Sequence, residues 1–322
     1  MTNKKGNTKK ENSLSTVQPA NQSADYHVPV LLQETIDGLN IKPDGVYVDC
    51  TFGGGGHSAA ILKQLNENGR LYVFDQDGDA ALNVPDDQRV IFIQQNFRHI
   101  QRFLRLQNVL KVDGILADLG VSSHQFDEAD RGFSIRFNAD MDMRMDRRQA
   151  TTAFDIVQNY PELKLHKLFE QYGEVTNSKT LANKIVTVRR AVSLKTIDGF
   201  KNALRDVVKG NPNKYFAQVF QALRMEVNEE VQVLKEMLEQ SVLLLNEGGR
   251  IAIITFHSIE DRVVKNFFKQ GTFEELEDNP FINTKKEDVF KVITRKPVTA
   301  SEEELRRNTR SRSAKLRVAE RV

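Results

Sequence analysis

The stretch Gly45-Val-Tyr-Val-Asp-Cys-Thr-Phe-Gly-Gly-Gly-Gly-His-Ser58 constrains this chain more than any other. Residues 46–48 form an apolar run short enough for a buried strand, and Asp49 ends it. Four consecutive glycines, Gly53 to Gly56, then supply a turn. An apolar-periodic run with Ala60, Ile61, Leu62 and Leu65 follows, as expected of a helix. Strand, glycine turn and helix in this order open a doubly wound α/β fold. Glycine is needed in such a turn because a Cβ would hold a ligand off the backbone and disfavour positive φ. The first turn of the helix presents unpaired N–H groups to an anion or carboxylate.

The next strand, residues 70–74, is closed by Asp75. An acid there, about 20 residues beyond the glycines, is placed to accept hydrogen bonds from ribose hydroxyls. Two cofactor classes share the arrangement. Dinucleotide enzymes use G-x-G-x-x-G, but Gly53-x-Gly55 is followed here by Gly56, His57 and Ser58, without the closing glycine. S-adenosylmethionine enzymes favour an acid on the first strand followed by alternating small residues. Asp49-x-Thr51-x-Gly53-x-Gly55 fits that pattern. The residues favour S-adenosylmethionine, with a nicotinamide dinucleotide oxidoreductase as the alternative.

Further strands are expected at 90–94, followed by Asn96-Phe97, and at 112–118, which ends in Asp118. Ligands of an open parallel sheet sit at the carboxyl ends of its strands. Asp49, Asp75, Phe97 and Asp118 all fall at such ends. The strand–helix rhythm then stops. After the Arg- and Asp-rich segment around 130–146, helical patterns appear at 152–159, 162–172, 177–193 and 196–209. An inserted all-helical domain over 125–214 is the economical reading, splitting a sheet domain into 26–124 and 215–322. Within the second part, 215–246 reads as a long helix or helix pair and 250–255 as a fifth strand. Residues 288–294 and 314–319 read as a final strand pair.

Net charge is +2, so the molecule is not a polycation and any nucleic-acid surface must be local. Residues 306–317 hold six basic residues and no acid, a candidate stripe for phosphate. Cys50 is the one cysteine, which excludes an intrachain disulfide and a multi-Cys zinc site. No apolar run approaches the ~18 residues of a membrane span. Residues 1–25 are polar and too poor in apolar side chains to build a core, so a disordered tail is expected. That start lacks the apolar region of a signal peptide, and a cytoplasmic protein is expected.

Seven motifs in order resemble the RsmH (MraW) family of bacterial 16S ribosomal RNA cytosine-N4 methyltransferases. They are His27-Val-Pro-Val-Leu-Leu-Gln-Glu34, Thr51-Phe-Gly-Gly-Gly-Gly-His-Ser58, Asp118-Leu-Gly-Val-Ser-Ser123 with Gln125, Arg131-Gly-Phe-Ser134, Asp142-Met-Arg-Met-Asp146, Phe256-His-Ser-Ile-Glu-Asp-Arg-Val-Val-Lys265, and residues 308–321. The resemblance implies a class I (Rossmann-like) S-adenosylmethionine methyltransferase sheet with an inserted substrate-recognition domain. It implies cofactor contacts at Gly55, Gly56, His57, Ser58, Asp75, Phe97, Asp118 and Gln125. It also implies 16S rRNA of the small ribosomal subunit as partner, methylated at one cytosine of the decoding centre. Monomer and homodimer both stay open.

Methyl transfer from a sulfonium is an in-line displacement that needs no metal and gains most from alignment. Cytosine's exocyclic amine is a poor nucleophile because its lone pair is conjugated with the ring. A carboxylate accepting its N–H would help free that pair, and Asp118 is the candidate. Related amino-methyltransferases follow this acid with Pro-Pro-aromatic; here Leu119-Gly120-Val121 follows, so the stacking ring is sought among Phe126, Phe133 and Phe256. His257 is a candidate base or a structural hydrogen bonder. Arg131 is a candidate phosphate contact or salt bridge. Asp142 and Arg144 line a base pocket or pair with each other. Arg310 and Arg312 are candidate RNA contacts. A non-catalytic RNA-binding assembly factor is the remaining alternative.

Overall fold

The structure, a computed structural model, describes residues 29–274 and 288–322. The expected tail at 1–25 and His27 of the first motif lie outside the described residues. Seven strands form one sheet among the described residues: β1 (Val46–Asp49), β2 (Arg70–Phe74), β3 (Val90–Ile93), β4 (Val112–Asp118), β5 (Leu245–Thr255), β6 (Phe290–Val292) and β7 (Lys315–Arg321). Their spatial order is β3-β2-β1-β4-β5-β7-β6. The first five run parallel, while β7 is antiparallel to both β5 and β6. The chain steps outward from β1 to β3 and then returns to the other side of β1 with β4. A crevice therefore opens at the carboxyl ends of β1 and β4.

Alternate residues of each central strand face opposite layers, as the two-residue strand period requires. Tyr47, Leu71, Val73, Leu116 and Ile254 pack under α1 (Leu32–Leu39) and α2 (Gly56–Leu62). Val48, Tyr72, Phe74, Ile115 and Ile253 pack on the opposite side. That side is covered by α3 (Ile100–Leu106) and by two helices introduced below. Gly114 lets the strands close here: a Cβ on it would stand 2.7 Å from the Tyr47 ring.

Between β4 and β5 the chain builds a second core. It runs through α4 (Ser123–Asp127), α5 (Ala153–Asn159), α6 (Glu162–Gln171), α7 (Ser178–Val188), α8 (Ile197–Ala203) and α9 (Pro212–Val227). Thr152 caps α5 in a reciprocal box with Asp155, and Asn211 with Pro212 starts α9. Leu165, Phe169, Leu181, Ile185, Phe200, Phe220 and Leu223 form its centre.

The sequence alone ends this insertion at 214. The helical core instead continues to Val227, because the apolar face of α9 (Phe216, Val219, Phe220, Leu223) packs inside it. The expected long helix is a pair, α9 and α10 (Glu230–Leu244), joined at Asn228 and Glu229, the latter with φ 50°. Only α10 returns to the sheet, where Leu234, Met237 and Leu238 join the core beside α3 and α11 (Ser258–Gln270). A short α12 (Glu302–Arg307) precedes β7.

Candidate active site

The glycine turn is bent as its composition demands. Gly53 has φ 50° and Gly55 has φ 75°, values that a side chain would strain. Gly55 is the N-cap of α2 and provides no side-chain cap, so the first N–H groups of the helix stay without one. A Cβ on Gly54 would meet nothing within 4 Å, whereas one on Gly56 would stand 2.2 Å from Pro29. The turn thus faces open space on one side and close packing on the other.

Asp75 closes the turn from the next strand. Its Oδ2 accepts the Gly53 N–H at 2.8 Å and its Oδ1 accepts the Asp77 N–H at 2.9 Å. Each oxygen keeps a further lone pair. Burial pushes its carboxyl up to about 6 against the pull of those two N–H groups, and Asp77 and Asp49 add repulsion.

Asp49 is 1% exposed and bound from within the site. Its Oδ2 accepts from Ser58 Oγ at 2.7 Å and its Oδ1 from the Thr51 N–H at 3.0 Å. Ser58, implied as a cofactor contact, therefore spends its hydroxyl on Asp49. His57 is likewise buried. Its Nε2 lies 3.0 Å from the Val30 carbonyl, which can only accept, so Nε2 carries the proton. Burial lowers this imidazole to about 4, leaving Nδ1 as a bare lone pair at neutral pH. That lone pair faces Asp118 Oδ2 at 3.8 Å.

Asp118 ends β4. Its N–H is held by Thr51 Oγ1 at 2.7 Å. Its Oδ1 is buried without a hydrogen-bond partner, while the side chain as a whole keeps 26% of its surface open. Burial, followed by repulsion from Asp49 and Glu260, pushes its carboxyl well above the usual carboxylate range. Phe97 follows β3 and is half-buried on the side of the sheet covered by α3.

Gln125 reaches the site through Asp77, its Nε2 donating to Asp77 Oδ2 at 2.8 Å, and its Oε1 caps α4 with Ser122. Arg131 binds the same Asp77 at 2.8 Å and is itself 2% exposed. Its Nη2 also donates to the carbonyls of Arg144 and Met145, both at 3.1 Å. Asn228 grips that loop from the other side, accepting from the Met145 N–H and donating to the Met143 carbonyl, both at 2.8 Å. Met141, Met143 and Met145 all point inward. Arg131 is thus a buried strap and has no face left for a phosphate. Asp142 and Arg144 are spent on each other in a bidentate pair at 2.7 and 2.8 Å.

His257 is also a structural residue. It is the N-cap of α11, and Nε2 stands 3.0 Å from Glu260 Oε1, outside hydrogen-bond angle. Burial raises the Glu260 carboxyl, but His257, Arg224 and the Phe256 N–H outweigh it and hold the group below its ordinary range. Glu230, His257 and Glu260 bring ligand atoms within 4.8 Å of one another. Arg224 already occupies both oxygens of Glu230, at 2.8 and 3.0 Å, so this donor set reads as an ion-pair cluster. Arg310 is paired with Asp127 at 2.7 Å, and Arg312 is exposed.

Sequence reasoning missed Asp77, Asn228 and Glu260. Asp77 had a signal in the spacing Asp75-x-Asp77-x-Asp79, and Glu260 had one in its place three residues after His257; Asn228 had none, because Met143 and Met145 lie more than 80 residues away along the chain.

A mixed sheet in this strand order, with a glycine turn after β1 and acids ending β1, β2 and β4, defines a class I S-adenosylmethionine-dependent methyltransferase. The chain belongs to the MraW methylase family, which it matches over residues 24–322. It is 51% identical to the ribosomal RNA small subunit methyltransferase H of Parabacteroides distasonis, over 92% of this chain and 98% of that one. It is 52% identical to the protein of the same name from Cytophaga hutchinsonii, over 92% and 99%. Among solved structures, an rRNA methylase from Streptococcus thermophilus is similar at TM-score 0.39 and 12% identity, over 90% of this chain and 95% of that one. No helix among the described residues is long and apolar enough to cross a membrane.

Because Arg131 and Asp77 are both desolvated, removing one leaves the other as an uncompensated buried charge. Arg131→Ala is expected to lower unfolding free energy by about 3–5 kcal/mol. Urea denaturation followed by circular dichroism checks this; a midpoint equal to wild type would show that Arg131 is not a structural strap.

Proposed function

We propose that this chain transfers the methyl group of S-adenosylmethionine to the exocyclic N4 of one cytosine of 16S ribosomal RNA in the small ribosomal subunit. The observation that carries this reading is Asp118: an unpartnered buried oxygen at the crevice where the parallel strands diverge. When bound, the cofactor supplies a methyl group on a positively charged sulfonium.

The residues present fit that group. Open space beside Gly54 and positive φ at Gly53 and Gly55 allow close approach to the backbone. The remaining lone pairs of Asp75 suit ribose hydroxyls. The concentration of carboxylates at Asp49, Asp75 and Asp118 suits a cation in place of the repulsion they impose on one another. Phe97, at the end of β3, stands on the side expected for an adenine ring.

Asp118 has two acceptor oxygens and, opposite them, the bare lone pair of His57 Nδ1. What such a set lacks is an N–H. In this reading the Asp118 carboxylate accepts a hydrogen bond from the cytosine amine, which draws the nitrogen lone pair out of conjugation and toward the methyl group, and the proton that the methylated nitrogen sheds passes to that carboxylate or to water. The remaining contribution is alignment. Of the three candidate rings, Phe133 is buried and Phe126 has guanidinium groups over it. Phe256 is left. It is half-buried, and its Cδ2 stands 3.8 Å from where a Cβ on Gly120 would sit, beside the loop that follows Asp118.

The test is to incubate the protein with methyl-labelled S-adenosylmethionine and unmethylated small-subunit particles, and then to locate the labelled nucleotide. Label on one cytosine N4 is expected; label on another base, or none, would contradict the assignment. The cofactor half is tested by pH. Asp75 can accept with both oxygens, and as a charged acceptor, only when ionised, because protonation turns one oxygen into a donor, and its carboxyl sits at about 6. Affinity for S-adenosylmethionine should be level above pH 7 and fall by about tenfold per unit below 6. Asp75→Asn should bind more weakly and lose the dependence. Calorimetry showing level wild-type affinity from pH 7.5 to 5 would remove Asp75 from the cofactor site.

A further inference from the structure

Four side chains near the crevice alternate as cation and ring. The guanidinium carbon of Arg136 lies 5.1 Å from the centroid of Phe126 and 5.5 Å from that of Phe137. Arg310, from the segment before β7, lies 6.0 Å from the Phe126 centroid. Asp127 binds both arginines, Arg310 at 2.7 Å and Arg136 at 3.3 Å. One carboxylate thus bridges two guanidinium groups, with exposed Arg312 two residues beyond Arg310. Phe137 is 39% exposed and is the only phenylalanine among the exposed large apolar side chains of the described residues.

We propose that this stack holds the single-stranded RNA flanking the target cytosine, with a base on Phe137 and phosphates at Arg136 and Arg310. The inference rests on the RNA methyltransferase reading above and adds a recognition subsite to it. An exposed ring with arginines beside it suits a nucleobase, whose π-face stacks regardless of identity while the cations meet the backbone. A duplex offers no free face, so the strand must be unpaired there. A protein partner would call for a contiguous apolar patch, which the arginines interrupt.

The location supports the same role. Phe126 and Asp127 belong to α4, the helix that also carries Gln125 to Asp77 beside the glycine turn. The stack stands at the rim of the crevice, joined to its floor by one short helix. In the free protein Asp127 holds the two arginines; an RNA phosphate takes over that place when the substrate docks, one anion exchanged for another.

The experiment uses unmethylated small-subunit particles with saturating S-adenosylmethionine and the full chain. Phe137→Ala should raise KM for the particle by about five- to a hundredfold, with kcat and cofactor affinity within about twofold of wild type. Phe137→Tyr keeps a stacking face and should behave as wild type. Arg136→Gln should also raise KM and lower the slope of log affinity against log salt by about one. An unchanged KM in Phe137→Ala, or a Tyr variant as poor as the Ala variant, would overturn the subsite. Failure of the wild-type protein to methylate the particle would instead overturn the activity. The stack would then be judged by filter binding of the particle, where equal affinity of wild type and Phe137→Ala would overturn it.

Discussion

Asp75, Asp49 and Asp118 end three neighbouring strands, β2, β1 and β4, so the parallel register that buries the sheet also gathers three carboxylates at one edge. Charged groups are unfavourable there, and burial raises all three above the ordinary carboxylate range. The fold answers two of them from within: Ser58 and Thr51 hydrogen-bond Asp49, and backbone N–H groups hold Asp75. Asp118 Oδ1 goes unanswered. A site that leaves one buried acceptor free, next to a neutral histidine lone pair, is poised for a ligand that brings cationic charge and N–H groups.

The insertion depends on the same edge. Arg131 ties its first loop to Asp77, and Asn228 ties that loop to the corner between α9 and α10. The Arg224–Glu230 pair sits beside His257 and Glu260 where β5 ends. Ser258 reaches across to Glu174 at 2.9 Å. Apart from the exposed Ser258–Glu174 contact, these groups are largely desolvated, so the helical core is held by geometry that tolerates little slippage. They also explain why residues that look basic or catalytic in the sequence are already committed to partners.

Much of the fold was legible because it is written in local patterns. Apolar strands ending in acids, the glycine run and the change to helical periodicity after Asp118 each report on a few adjacent residues. The end of the insertion was not legible, since α9 and α10 have similar apolar periodicity and only packing distinguishes which core each joins. The site divides in the same way. Asp75 and Asp118 stand at strand ends and could be found by spacing. Arg131, Asp142, Arg144 and His257 were visible as candidates, but Arg131 depends on the distant Asp77, and for the local pairs Asp142–Arg144 and His257–Glu260 it is burial, which no local pattern encodes, that decides the role. Arg136 and Phe137 went unremarked because a cation beside a ring in sequence is common; only the approach of Arg310, more than 170 residues away, makes a stack of them.

The central claim is that Asp118 acts on the amine and not merely on the cofactor. Its most direct test is the single-turnover rate of methyl transfer by Asp118→Asn at saturating S-adenosylmethionine, with folding checked by circular dichroism. If the carboxylate accepts the amine hydrogen as the nitrogen becomes tetrahedral, the rate should fall by about a hundredfold or more while cofactor affinity changes far less. A rate equal to wild type, with only cofactor affinity reduced, would contradict the account.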